Sequence, residues 1–262
     1  MNHRLSLVVL VGLIAVAAVM AGCTGTTSAP PANTSLAKTY IVGIDVPYPP
    51  FSLIDDKGKP TGFDVESMQW IANDQGFKVE FQQVAWDSII PTLEAGKIDI
   101  IYSGMTITDE RKAKVNFSET YWVVNQDVVA RNASTTTLDD VLAGKAVIGT
   151  QRGCTAAMWI EENLVNTSKM PADNLKTYDN TPLAVNDLEA GRIDAVMYDD
   201  LVLKDIIEGK AVKKIGFVET KEEFGIAVRK ADAELLAKIN TGLAHLKASQ
   251  AWTDLVAKYN MR

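Results

Sequence analysis

A seven-residue phrase occurs twice in this chain with one change, Lys97 for Arg192, and it constrains the fold more than any other feature. Leu93-Glu94-Ala95-Gly96-Lys97-Ile98-Asp99 returns as Leu188-Glu189-Ala190-Gly191-Arg192-Ile193-Asp194. Each copy reads as a helix end, a glycine stop and a buried strand. Helix, glycine and strand is a common α/β phrase. What favours two lobes of like construction is the position of the copies, one in each half of the chain about a break at Asp127 to Thr137.

The intervening sequence alternates short β runs with amphipathic helices. Tyr40 to Asp45, Lys78 to Val84 and Ile98 to Tyr102 read as strands, and Asp64 to Asn73 as a helix with Val65, Met68 and Ile71 on one side. Ser88 to Ala95 reads as a second helix with Pro91 in its first turn, where a missing N–H is tolerated. After Arg131 the pattern resumes with a helix at Leu138 to Ala143, a strand at Ala146 to Gly149 and a helix at Thr155 to Asn163. Thr181 as N-cap and Pro182 as first helical residue open another helix, and Ile193 to Met197 forms a further strand. This order implies an α/β fold with mixed or parallel sheets. Ligands of open α/β sheets bind beyond the C-terminal strand ends, so Ser103-Gly104 and Tyr198-Asp199, just after the copied strands, become candidates.

His3 and Arg4 precede an apolar run from Leu5 to Met20 that ends at Met20-Ala21-Gly22-Cys23, the form of an export signal. The run falls short of the roughly 20 residues that span a bilayer comfortably. Cys23 resembles the lipidated first residue of a processed lipoprotein, although ordinary cleavage or a retained anchor stays open. Thr24 to Lys38 reads as a flexible tether. Without the first 22 residues, which hold Arg4 and no acid, 25 basic side chains face 33 acidic ones, a net charge of −8 that argues against nucleic-acid binding. Cys154 is the one thiol beyond Cys23, so no internal disulfide is expected. With only His3 and His245 available, a catalytic cysteine is not supported either.

Five motifs then carry a family resemblance: Asp45-Val46-Pro47-Tyr48-Pro49-Pro50-Phe51, Gly62-Phe63-Asp64-Val65, Trp86-Asp87-Ser88-Ile89-Ile90-Pro91, Ser103 to Arg111 with Phe117-Ser118, and Gly191 to Ala195. In order and spacing the chain resembles the periplasmic polar-amino-acid-binding proteins of ABC importers. The resemblance implies the two-lobed type II periplasmic-binding-protein fold, with two hinge strands near Val123 to Arg131 and Phe217 to Val228. It divides the chain into a signal peptide (1–22), a lipid-anchored tether (23–38), lobe 1 (39–126 and 218–262) and lobe 2 (127–217).

By the same resemblance, Arg111 would hold the α-carboxylate of a free amino acid through its planar fork, with Thr108 capping the short helix that carries it and Thr155 donating from lobe 2. Asp199, the carbonyls of Ser103 or Gly104 and the Thr106 hydroxyl would accept from the α-ammonium, while Asp200 would cap the following helix. Asp45, Tyr48, Trp86, Gln151 and Tyr198 would line the side-chain pocket. One acid and no base there suits arginine, lysine, histidine or glutamine and does not separate them.

The implied action is hinge closure on the ligand and delivery to the transmembrane subunits of a permease, by a monomeric, membrane-anchored, exported protein that uses no cofactor or metal and catalyses nothing. Two rivals are an exported cyclohexadienyl or arogenate dehydratase on the same fold, with Asp45 as its general acid, and a ligand-sensing domain. There is no phosphate-binding glycine loop, zinc-spaced Cys or His set, or nucleophile elbow.

Overall fold

A computed structural model describes residues 37–261. The signal segment, Cys23 and most of the tether lie outside the described residues. From its start the chain forms β1 (Thr39–Ile44), the ribbon β2 (Leu53–Ile54) and β3 (Pro60–Thr61), α1 (Phe63–Asp74), β4 (Lys78–Gln83), α2 (Trp86–Glu94), β5 (Ile100–Ile101), α3 (Asp109–Lys114) and β6 (Val115–Phe117). It crosses on β7 (Trp122–Arg131) and builds α4 (Leu138–Leu142), β8 (Ile148–Gln151), α5 (Thr155–Ile160), β9 (Leu175–Tyr178), α6 (Thr181–Glu189), β10 (Ala195–Asp199) and α7 (Asp200–Ile206). It returns on β11 (Val212–Phe224) to β12 (Ala227–Arg229), α8 (Ala233–Ala248) and α9 (Gln250–Lys258). Among the described residues no helix is long and apolar enough to cross a membrane.

Two five-stranded sheets result, ordered β4-β1-β5-β12-β6 and β9-β8-β10-β7-β11, and they are built alike. In the first, β1 runs parallel to β4 and β5, and β12 is antiparallel to β5 and β6. In the second, β8 runs parallel to β9 and β10, and β7 is antiparallel to β10 and β11. In each sheet the fourth strand arrives from the other half of the chain, which is how two crossings tie two lobes together.

The repeated phrase does the same structural work in both sheets. Ile98 and Ile193 are buried over glycines of the neighbouring strand: a Cβ on Gly43 would lie 2.4 Å from Ile98, and one on Gly149 would lie 2.5 Å from Ile193. Asp99 accepts the Ile41 amide and Asp194 the Val147 amide, both at 2.9 Å. An arginine clamps each helix end and strand start together. Arg229 donates to the carbonyls of Ile98 (2.6 Å) and Leu93 (3.4 Å), and Arg131 to those of Ile193 (2.9 Å) and Leu188 (3.0 Å).

Several local readings need correction. Helix α2 starts at Trp86, so Pro91 sits inside it, beyond the first turn. The N-cap of α6 is Asn180, whose side chain accepts the Leu183 amide at 3.1 Å, and Thr181 is already helical. The second crossing is one strand that stops at Phe224; Ala227 to Arg229 belongs to the first sheet. The chain changes sheet at Gly225, where a Cβ would come within 2.9 Å of Ile107. Both crossing strands reach the first lobe. Trp122 of β7 packs against Phe63 and Trp252, and Phe224 of β11 bridges to Thr106.

Candidate functional site

The C-terminal ends of the parallel strands converge where the two lobes face each other. Asp45 follows β1 and Gln151 ends β8, at matching places in the two sheets, and they meet: Gln151 Nε2 donates to Asp45 Oδ2 at 2.7 Å. Ser103 and Gly104 follow β5, while Tyr198 and Asp199 end β10. Tyr48 joins the lobes again by donating its hydroxyl to Asp199 Oδ2 at 2.6 Å. Trp86, at the start of α2, donates its indole N–H to the Gly153 carbonyl of the other lobe at 3.1 Å.

These residues close on a cavity of only about 10 Å³, lined by Asp45, Tyr48, Trp86, Ser103, Gly104, Thr106, Arg111, Cys154, Thr155, Tyr198 and Asp199. That is about the room one water molecule needs, so the lobes are drawn together over the site and an amino acid enters only when they part. Gln151 stands behind this lining and holds Asp45 and the Tyr198 hydroxyl. All the candidates for ligand contact, from Asp45 to Asp199, are thus brought to one place, and Cys154 is added to them.

Arg111 is buried with 4% of its surface exposed. Thr108 caps α3 by accepting the Arg111 amide at 3.2 Å, which orients the turn that carries the guanidinium. The fork donates to the carbonyls of Thr106 (2.9 Å) and Gly153 (3.2 Å), and it lies 5.2 Å from the centre of the Trp86 ring. Burial lowers its pKa from the ordinary arginine value, and nearby acidic groups oppose that.

Burial pushes the Asp199 carboxyl up to about 7; the Glu222 charge adds to this, and hydrogen bonds from Tyr48 and Gln126 oppose it. Burial also pushes Asp45 up to about 6, against the hydrogen bond from Gln151. Asp200 is not the N-cap of α7. That position belongs to Asp199, and Asp200, one residue on, accepts the amides of Leu201 (2.7 Å) and Asn125 (3.3 Å).

Gly104 is a position that only glycine fits. Its φ of +57° is left-handed, and a Cβ would come within 2.3 Å of the Tyr48 ring. Its amide donates to the fully buried Asp64 at 2.8 Å, and the Tyr121 hydroxyl takes the same Asp64 oxygen at 3.0 Å. Asp64, with a carboxyl pushed by burial to about 7, therefore sets the backbone of Gly104 from behind.

Two side chains on the crossing strands were not legible in the sequence. Gln126 of β7 donates through Nε2 to Asp199 Oδ1 (2.7 Å) and to Glu222 Oε1 (2.8 Å). Glu222 of β11 accepts the hydroxyls of Thr106 (2.9 Å) and Thr155 (2.5 Å). The Thr155 hydroxyl proton is thereby committed to Glu222. Glu222 lies in the charged run Lys221-Glu222-Glu223 with no periodicity to mark it, and only strand pairing turns it inward.

Residues 40–262 match the family of bacterial extracellular solute-binding proteins, family 3. The chain belongs to this family. The solute-binding protein is 33% identical over 236 residues to a probable histidine-binding protein of Neisseria gonorrhoeae, covering 88% of this chain and 86% of the relative. A solved ancestral arginine-binding protein bound to arginine is 35% identical, with a TM-score of 0.77 over 84% of this chain and 97% of that one. A solved ancestral amino-acid-binding protein, described as a precursor of cyclohexadienyl dehydratase, is 36% identical, with a TM-score of 0.75 over 84% and 95% of the two chains.

Proposed function

We propose that this protein is the extracytoplasmic receptor of an ABC importer, that it binds one free polar or cationic L-amino acid in the cleft, and that it hands the ligand to the permease. The observation that carries this reading is the placement of a buried guanidinium and a buried carboxylate on one enclosed cavity. Arg111 comes from the first lobe and Asp199 from the second. A zwitterion needs both charges matched, and these two lie on opposite walls.

In this reading Arg111 takes the α-carboxylate, helped by the amide that opens α5 at Thr155. Asp199, Thr106 and the Gly104 carbonyl take the α-ammonium, with Ser103 bracing β1 by donating to the Asp45 carbonyl (3.3 Å) and accepting the Asp45 amide (3.0 Å). Tyr48, Trp86 and Tyr198 supply ring faces to the ligand side chain, and Asp45 and Gln151 supply its polar end. The lobes, with boundaries at 39–126 and 218–262 against 127–217, close about β7 and β11. The names of the similar proteins support arginine and histidine among the ligands to test first.

The test is a thermal-shift screen of protein stripped by unfolding and refolding, against the twenty amino acids, followed by calorimetry. A ligand at 100 times its dissociation constant stabilises the fold by about 2.7 kcal/mol, a shift of several degrees. No shift with any amino acid overturns the reading.

We further propose that the protein is a monomer without catalytic activity, held at the membrane by lipid on Cys23. Two measurements test the lack of catalysis and the lipid anchor. Incubation with arogenate or prephenate should leave both unchanged; product would make Asp45, whose raised pKa suits a general acid, the acid of a dehydratase. Replacing Cys23 by Ser should release the protein from membranes.

A further inference from the structure

The Thr106 hydroxyl has one proton, and the structure commits it. Thr106 Oγ1 donates to Glu222 Oε2 at 2.9 Å, so towards any other partner this hydroxyl can only accept. The same carboxylate oxygen takes the Thr155 hydroxyl proton from the other lobe. Its second oxygen is held by the Gln126 amide, which also holds Asp199. Glu222 is therefore fixed by three donors. It stands where β11 slips its register against β7, between Val218 and Glu222, and that irregularity sets where its side chain falls.

We propose that Glu222 is a positioning residue for recognition of the ligand's α-ammonium group. By keeping the Thr106 hydroxyl proton it turns a group of either polarity into an acceptor facing the cavity, beside the Asp199 carboxylate. A site so arranged rejects an anionic group, or any group that offers only acceptors, at that position, because no donor is left to meet it. The Arg111 fork, from the same lobe as Thr106, serves the opposite charge, and it donates to the carbonyls of Thr106 and Gly153. This inference rests on the amino-acid-binding reading and adds a residue that touches no ligand itself.

The experiment is a mutant cycle on the mature protein, read by calorimetry with L-arginine, L-lysine, L-histidine and L-glutamine. Glu222→Ala removes the acceptor and should weaken binding about 10- to 100-fold, the range for losing a hydrogen bond to a charged group. Glu222→Gln keeps an acceptor oxygen and should recover most of that loss. In a Thr106→Val background, Glu222→Ala should cost no more than about two-fold, because its route of action is gone. Unchanged or tighter binding by Glu222→Ala overturns the proposal. So does a full loss that persists on Thr106→Val. Melting curves without ligand check that each variant folds. A wild type that binds none of the four amino acids removes the proposed function first; additive losses in a protein that binds one remove only the role of Glu222.

Discussion

Arg111 and Asp199 face the cavity from opposite lobes, and each is expensive to remove for the same reason: its partner is left buried and charged. Arg111→Ala should weaken amino-acid binding by about 3–5 kcal/mol, enough to abolish a micromolar affinity, while circular dichroism still reports a folded chain. Undiminished affinity by calorimetry would remove Arg111 from the site. The raised Asp199 carboxyl, about 7, makes affinity depend on pH. An α-ammonium binds the ionised form, so binding below pH 7 must expel a proton. Affinity should fall as pH drops from 8 to 5, approaching about tenfold per unit once Asp199 is protonated in the free protein. A cationic ligand side chain adds the same sign through Asp45, raised to about 6. Calorimetry at pH 6 in buffers of different ionisation enthalpy should register proton release, and a flat profile would separate these carboxyls from the ligand. Gly104→Ala forces a Cβ onto the Tyr48 ring and demands a left-handed alanine. It should cost at least about 1 kcal/mol of stability in urea titration and weaken binding through the displaced tyrosine.

At the scale of elements, the repeated phrase was legible because a helix stop and a buried strand each have a residue signature. Gly96 and Gly191 take the left-handed turn, with φ of +71° and +74°, and Ile98 and Ile193 go into the core. The two arginines that clamp the copies were invisible, because Arg131 and Arg229 lie far along the chain and meet their carbonyls only through antiparallel pairing. Replacing either by Met strands buried carbonyls and should cost about 1–3 kcal/mol. Arg229→Met should cost more, since Arg229 also pairs with Asp99 (2.9 Å) and Asp232 (2.7 Å). The two losses should add within about 0.5 kcal/mol, because they fall in different sheets with no shared partner. Urea unfolding of the single and double variants measures this.

At the scale of the molecule, closure rests on contacts of unequal worth. Tyr48 with Asp199 and Asp45 with Gln151 are buried, whereas Arg152, which pairs with Asp179 of its own lobe (3.0 Å), reaches across to Asp87 at 3.4 Å with half its side chain in solvent. Exposed pairs contribute about 0–1 kcal/mol, so Arg152→Ala should change affinity less than about fivefold. Small-angle scattering should show the protein becoming more compact when ligand is added, and turning a 1:99 population into 99:1 requires about 5.5 kcal/mol of preferential binding. An unchanged scattering profile at saturating ligand would argue against closure.

The sequence by itself determined the alternation of strands and helices, the duplication of the lobe, and the strand ends at which a ligand would sit. Those are local or periodic properties, written in side-chain period, glycine stops and a repeated phrase. It also marked Arg111 and Asp199, because short motifs hold them next to their strands. Only the tertiary structure decided that Asp45 and Gln151, at matching places in the two sheets, would face each other, that Asp64 would brace Gly104, and that Gln126 and Glu222 would enter the cleft. These partners lie 106, 40, 96 and 116 residues apart. No period or spacing in a sequence records which way a side chain turns once two distant strands have paired.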